Sequence, residues 1–410
     1  MSEKVKPGYK QTEVGVIPED WEVKNLGALV TYTNGKAHEQ NITESGRFVV
    51  VNSKFISSEG VTRKYSDHCF CPASKGNVLM VMSDVPNGRA IAKCFFVESD
   101  ETYTINQRIC VLSPRSVDGK LLFYKLDRNP FYLAFDDGSK QTNLRKDEVL
   151  SCPLGIPKSD DEQRAIAGVL SDVDALIGAL NQLIAKKRDL KQAAMQQLLP
   201  GRKRLPGFHG EWVVKRLGEI GEFKNGINKS SEAFGHGSPF VNLMDVFGVS
   251  AISIGKLLGL INSTDFEQKI YDLRKGDVIF IRSSVKPSGV GLTAVIENDL
   301  PRTVYSGFLI RFRDGGLLNL AFKKHCFYEE GFRKRVISSS SVSANTNINQ
   351  DNLKRLSIPL PPTKAEQTAI AEVLSDMDAE VAALEQRRGK THALKQGMMQ
   401  ELLTGRTRLV

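Results

Sequence analysis

The chain has 410 residues, about two to three times a usual domain, so two or more hydrophobic cores are expected. With 41% hydrophobic and 25% charged residues it matches ordinary globular proteins, which excludes wholesale disorder. Lys and Arg outnumber Asp and Glu by 56 to 47, and the net charge of +9 favours a polyanionic partner, nucleic acid before membrane.

Residues 1–10 are charged and carry no apolar stretch, and no run of about 18 apolar residues occurs, so neither secretion nor membrane spanning is expected. Strands are predicted at 48–51, 78–82, 90–97 and 108–112, separated by Gly, Asn and Ser turns. The polar loops among them, Asn87-Gly88-Arg89, Asn106-Gln107-Arg108 and 138–143 with Lys140, Gln141 and Asn143, hold the side chains that pair with phosphates and base edges. Turns are the commoner use of such residues. The six cysteines show no recurring spacing and fit reduced thiols; His68-Cys69-Phe70-Cys71 lacks a second pair at a zinc-finger distance, so no metal is expected.

The proline-marked stretch 152–157 introduces a long helix predicted over 159–199. Its apolar series Ile166, Val169, Val173, Leu176, Leu180, Leu183, Leu190 and Ala194, broken by Lys187, reads as a coiled-coil seam, and Gly201 stops it. Its basic end, from Lys186 to Arg204, reads as a solvated face or as a surface for DNA or an acidic partner. A second set of strands follows at 278–281, 292–296 and 308–312. Its candidate loops carry Arg282 and Lys286 and the serine and asparagine run 338–349, including Ser343, Asn345 and Asn347. The prolines of 358–362 then introduce a second helix over 364–403, with Ile370, Val373, Met377, Leu384, Leu394 and Met398 apolar and Glu380 and Arg387 at seam positions.

Residues 156–205 match 360–409 without a gap at an offset of 204: Glu162-Gln163 falls on Glu366-Gln367, and Val169-Leu170-Ser171-Asp172 on Val373-Leu374-Ser375-Asp376. At an offset of 191 Trp21-x-Val23-Lys24-x-Leu26-Gly27 falls on Trp212-x-Val214-Lys215-x-Leu217-Gly218, and Asn34-Gly35 on Asn225-Gly226. The offset drifts through 200, where Lys75-Gly76 meets Lys275-Gly276. Thr142-Asn143 and Thr346-Asn347 align at 204, which points to a shared structural role for that loop. The chain is therefore two tandem units with similar ends and divergent middles, an organisation in which a common frame carries two different binding surfaces.

Motifs for chemistry are missing. No G-x-x-x-x-G-K-[ST] or G-x-G-x-x-G is present, and the six histidines make no i, i+4 pair. Asn129-Pro130-Phe131-Tyr132 is only partly similar to the Asn-Pro-Pro-aromatic signature of amino-methyltransferases, lacking the second proline, and reads as a turn closing a helix. These features tilt the chain toward binding.

The ordered set of Ile17-Pro18-x-x-Trp21, two divergent middles, and two near-identical helices, the second entered through Pro359-Leu360-Pro361-Pro362-x-x-x-Glu366-Gln367, resembles the specificity subunit of type I restriction-modification systems over essentially the whole length. The first copy departs from the proline-rich pattern at Leu154-Gly155-Ile156-Pro157. The resemblance implies an α+β pseudo-twofold tandem repeat: target recognition domains at 1–155 and 205–357 alternate with spacer helices at 156–204 and 358–410, which pair as an antiparallel coiled coil through Ile166, Val173, Leu180, Ile370, Met377 and Leu384. It implies a non-catalytic cytoplasmic subunit that reads a bipartite site in double-stranded DNA and docks two methyltransferase subunits. S-adenosylmethionine belongs to those partners, and ATP and Mg²⁺ to separate motor-nuclease subunits. A coiled-coil scaffold with protein-binding middles and a methyltransferase-like protein with its own cofactor site are the alternatives from other classes.

Overall fold

A computed structural model describes residues 5–85, 88–100, 102–256 and 258–409; Asn87 of the first candidate loop lies outside them. The chain divides into two compact units, one formed by Met1–Asn181 with Gln386–Val410 and the other by Gln182–Glu385. The division falls inside both long helices, so each unit takes one part of each.

In the first unit an antiparallel sheet of order Val30–Asn34, Ile109–Pro114, Val78–Val81, Cys94–Phe96 forms the centre. The run Val78–Val81 is apolar throughout because both of its faces are covered. Val78 and Met80 enter one core with Leu112, Leu122 and Tyr132, while Leu79 and Val81 enter another with Val49, Phe55 and Ile109. A second sheet sets Phe48–Val51 between Tyr103–Ile105 and Tyr65–Ser66. Helix Gly119–Leu126 follows the central sheet, and Asn129 caps the short helix Pro130–Leu133 while its amide donates to the Lys125 carbonyl at 2.8 Å.

The second unit repeats the plan. Its sheet runs Gly221–Asn225, Leu309–Asp314, Val278–Ile281, Thr293–Ile296, Ala251–Ile252, the last pair parallel. Val278 and Phe280 face one core and Ile279 and Ile281 another. The predicted strand at 90–97 is shorter than expected, Cys94–Phe96, because Ala92 has a positive φ of 54° and turns the chain before it. Both proline-marked stretches form edge strands, Pro153–Pro157 against Trp21–Asn25 and Ser357–Leu360 against Val213–Arg216. Each lies in a two-stranded ribbon, where every strand is an edge and proline costs no central ladder bond.

The Asn-Gly repeat has a steric cause. A Cβ at Gly35 would sit 2.0 Å from the Asn106 carbonyl oxygen, and one at Gly226 would sit 2.2 Å from that of Ser306, so the sheet edge and the neighbouring loop approach too closely for any side chain.

The long helices are Asp160–Leu198 and Lys364–Leu402, 39 residues each, or about 58 Å of rod. Their buried faces differ from the predicted series. In the first, Ile166, Leu170, Ile177, Leu180 and Ile184 are buried and Val173 is half-buried, spaced four and three alternately; Leu176, Leu183 and Leu190 are exposed. Ile166, Val173 and Leu180 therefore lie on the packed face, while the other half of the predicted series is one residue off it. An apolar residue on each side of the seam made the two heptad frames indistinguishable by hydrophobicity alone. In the second helix Ile370 and Leu374 are buried, Met377 and Leu384 half-buried, and Glu380 and Arg387 exposed rather than in the seam. The first helix is long and apolar enough by composition to cross a membrane, and exposed leucines lie beside its buried stripe.

The basic stretch of the first helix is engaged by carboxylates of the second. In the second unit Lys187 pairs with Glu380 at 2.6 Å, Lys191 with Asp378 and Arg188 with Glu385. In the first unit Lys395 pairs with Asp174 at 2.6 Å and Arg388 donates to Asn181 at 3.2 Å. From the Asp174 contact to the Asn181 contact one helix advances by seven residues and the other retreats by seven, so within this unit the two segments are antiparallel. Lys191–Asp378 and Lys395–Asp174 are the same pair displaced by the repeat offset of 204.

Candidate nucleic-acid interface

The repeated Glu-Gln and Trp organise a clamp in each unit. In the first, the buried Glu162 carboxylate accepts the Trp21 indole N–H at 3.2 Å and two bonds from Arg408, the Nη2 bond at 2.8 Å. Arg408 also holds Asp20 bidentately at 2.9 and 2.7 Å, which lowers the Asp20 pKa. In the second unit, Glu366 accepts Trp212 at 3.2 Å and Arg204 at 2.8 and 2.6 Å. The adjacent glutamine does a different job: Gln163 accepts the Asp118 N–H at 2.8 Å and Gln367 the Asn319 N–H at 2.7 Å, fixing the residue that caps each domain helix. Trp21, Glu162 and Arg408, like Trp212, Glu366 and Arg204, were not recognised as a set from the sequence. The signal that could have found them was the recurrence of all three residue types, Trp at an offset of 191 and Glu and Arg at 204.

Not every position of the frame is symmetric. Lys125 lies over the Trp21 ring, 5.0 Å from its centre, and donates to the Leu403 carbonyl at 2.7 Å, and burial pushes its ammonium down to about 7. Tyr124 donates to Asp174 at 2.8 Å. The corresponding His325 in the second unit meets the Ser375 hydroxyl at 3.2 Å, and burial lowers it to about 4.

On this frame each unit presents a small ribbon made by two distant loops. Ser83–Asp84 pairs antiparallel with Thr142–Asn143, and Ser283–Ser284 with Thr346–Asn347. The backbone connections match one for one: Met82 N bonds Arg108 O at 2.9 Å as Arg282 N bonds Phe308 O at 2.8 Å, and Leu144 N bonds Met82 O at 2.8 Å as Ile348 N bonds Arg282 O at 2.9 Å. Equal backbone thus carries unlike side chains, with Met82 where Arg282 stands and Arg108 where Phe308 stands.

The structure brings most of the predicted binding residues to these ribbons. In the first unit Gln141 donates to the Ser83 hydroxyl at 2.6 Å and to Asn143 at 3.4 Å, both amides remaining exposed. Arg108 and Lys140 are exposed beside them. Arg89, also exposed, ends a loop folded round Asp84, whose carboxylate accepts Ala90 N at 2.6 Å and Ile91 N at 3.2 Å. Exposed Asp137, which sequence reasoning passed over, has its pKa lowered by hydrogen bonds from the Ser139 N–H and hydroxyl. In the second unit half-buried Arg282 donates to the Gly307 carbonyl at 3.4 Å, and Lys286 is exposed. Ser343 and Asn345 form the exposed tip between Ser341–Val342 and Thr346–Asn347, and Asn347 donates to the Asn345 carbonyl at 3.0 Å. Among the described residues no cluster of three His, Cys, Asp or Glu side chains has metal-binding geometry.

Two ribbons of unlike side chains on a repeated frame with a repeated rod define a class of modular tandem-repeat proteins. The comparisons place this chain within that class. It matches the type I restriction modification DNA specificity domain over residues 18–186 and 209–393, and the chain belongs to that family. The type I restriction enzyme MjaVIII specificity subunit of Methanocaldococcus jannaschii is 21% identical over 413 residues, covering 96% of this chain and 94% of that one. The fold is that of the S subunit of a type I restriction-modification system from M. genitalium, with a TM-score of 0.58, 16% identity and 97% of each chain covered. It is equally that of a chain from a study of complex assembly and conformational transition of the type I system, with a TM-score of 0.61, 18% identity and 95% and 99% covered. Family membership disfavours the scaffold alternative.

Proposed function

We propose that this specificity subunit reads a bipartite sequence in double-stranded DNA, one half-site through each ribbon, and that its two rods pack antiparallel as a coiled coil whose length sets the gap. The observation that carries this reading is the pair of ribbons with the same backbone bonds and different side chains. The ion pairs within each unit support antiparallel rods. The basic excess supports phosphate contact, which supplies salt-dependent affinity, while amide and guanidinium contacts in the grooves discriminate bases by about 1 to 3 kcal/mol each.

On this reading the chain itself is not catalytic and works in the cytoplasm. Two methyltransferase subunits dock on the rods and bring S-adenosylmethionine for adenine methylation, and motor-nuclease subunits bring ATP and Mg²⁺. The test is methylation of a randomised DNA library by this chain co-expressed with its methyltransferase subunit, beside each component alone. Adenine methylation in a split motif that needs both components is the expected result. Methylation by either component alone, or in an unsplit motif, overturns the proposal.

A further inference from the structure

The second ribbon carries an apolar group of side chains that its polar sequence setting does not suggest. Val285 is 82%, Val342 75% and Phe308 56% exposed. The backbone brings the segments that carry them to one edge: Ser284, next to Val285, is paired with Thr346, Thr346 is paired with Val342, and Arg282 bonds Phe308 and Ile348. Val342 and Ser284 therefore lie two strand spacings apart, about 10 Å. Single exposed apolar residues are ordinary, but a group of three on one small edge marks a contact surface. The segments 282–296, 303–313 and 338–350 that build this edge contain no Asp or Glu. Besides Arg311 and Arg313, which pair with Asp272 and Asp277, they contribute Arg282 and Lys286, neither of which makes an ion pair among the described residues. The surface therefore suits an occupant that is anionic at its margin and apolar within reach. Duplex DNA is such an occupant, with phosphates flanking a major groove in which the only apolar group on a base edge is the C5-methyl of thymine.

The first unit keeps one of the three, Val85, 64% exposed in the place of Val285, and differs at the other two. Arg108 occupies the place of Phe308, and no third strand like Ser341–Val342 lies beside Thr142–Asn143 among the described residues. Arginine pairs bidentately with guanine O6 and N7, whereas an aromatic or aliphatic side chain meets the thymine methyl.

We propose that Phe308, Val285 and Val342 form a thymine-methyl contact, so that the half-site read by the second unit contains at least one T·A pair recognised through its methyl group. This rests on the DNA-reading function proposed above. The experiment uses the chain in complex with its methyltransferase subunits and duplexes carrying the half-sites found by methylation mapping, with thymine replaced by uracil one position at a time, which removes the methyl and nothing else. Uracil in the second half-site is expected to weaken binding about fourfold per contacted methyl, and uracil in the first half-site to have no such effect. Phe308→Ser and Val342→Ser, both at exposed positions, are expected to keep complex formation and to bind thymine and uracil duplexes alike. Equal binding of thymine and uracil by the unaltered complex overturns the inference, as does a second half-site without thymine or a variant that still discriminates the two bases. Failure of the complex to bind any sequence specifically overturns the DNA-reading proposal itself.

Discussion

Removing one heptad from each rod tests the spacer proposal at a known magnitude. Residues 177–183 and 381–387 are equivalent at the repeat offset of 204, and each deletion shortens its helix by about 10.5 Å, close to three base pairs at 3.4 Å each. After both deletions Ile184 takes the heptad position of Ile177, and Arg388 that of Val381, so each seam remains continuous. Lys187–Glu380, Lys191–Asp378 and Lys395–Asp174 all lie outside the removed segments, while Arg188–Glu385 and Arg388–Asn181 are lost. Deleting 177–183 alone shortens one rod by a heptad and leaves its antiparallel partner at full length, so the pairs of the two units can no longer form together; this variant should lose methylation. The assay is methylation mapping on a library with two randomised half-sites and variable gaps. The doubly deleted chain should accept a gap changed by about three base pairs with both half-sites unaltered. An unchanged gap would refute the spacer reasoning, and altered half-sites would refute the independence of the ribbons.

Other consequences follow from the clamps, the buried histidine and the ribbons. Glu162→Ala removes the acceptor of both the buried Trp21 indole N–H and Arg408 and should destabilise the first unit by about 1 to 3 kcal/mol or more in chemical denaturation; Glu162→Gln, which keeps a neutral acceptor, should cost less, and equal losses would deny hydrogen bonding at this position its role. His325 is neutral in the folded protein down to about pH 4 but takes a proton in the unfolded chain below its ordinary 6.5. Stability is therefore complete above pH 6.5 and falls as pH drops toward 4, by up to about 3 kcal/mol; His325→Tyr, the residue type of the first unit, should remove this part of the pH dependence of thermal unfolding. Arg108→Ala and Lys140→Ala should each lower the slope of log affinity against log salt by about one if the side chain meets a phosphate. A base contact at Arg108 would instead relax one position of the motif. Exchanging residues 22–150 for those of another family member should change one half-site only, and a change in both would contradict the modular reading.

The repeat offsets made much of this architecture readable. The gapless match of Glu-Gln and Gly-Arg at an offset of 204 requires equal helical paths, while the Trp anchors recur at 191 with insertions between, and strands such as Phe48–Val51 and Val278–Ile281 show in the sequence because β-branched and aromatic runs suit sheets covered on both faces. The seam was only half legible. Val169 and Leu170, Leu176 and Ile177, and Leu183 and Ile184 are adjacent apolar pairs, and only the packing decides which member of each turns inward. The basic segment at 186–191 was ambiguous for a related reason: a lysine facing solvent and a lysine facing Glu380 have the same local sequence.

The sequence by itself determined that there are two units with one frame and unlike middles, because repetition is a property of residue order and needs no coordinates to detect. It also determined the rods, through their length and period, and the polar loops as candidates for contact. Only the tertiary structure decided which loops meet. Ser83 and Thr142, or Ser283 and Thr346, are some sixty residues apart in the chain, and it is the strands between them that bring each pair into one ribbon. The same folding set Phe308 where Arg108 stands in the other unit: the offset of 200 already aligns the two in the sequence, and their matching backbone bonds to Arg282 and Met82 place both at the ribbon.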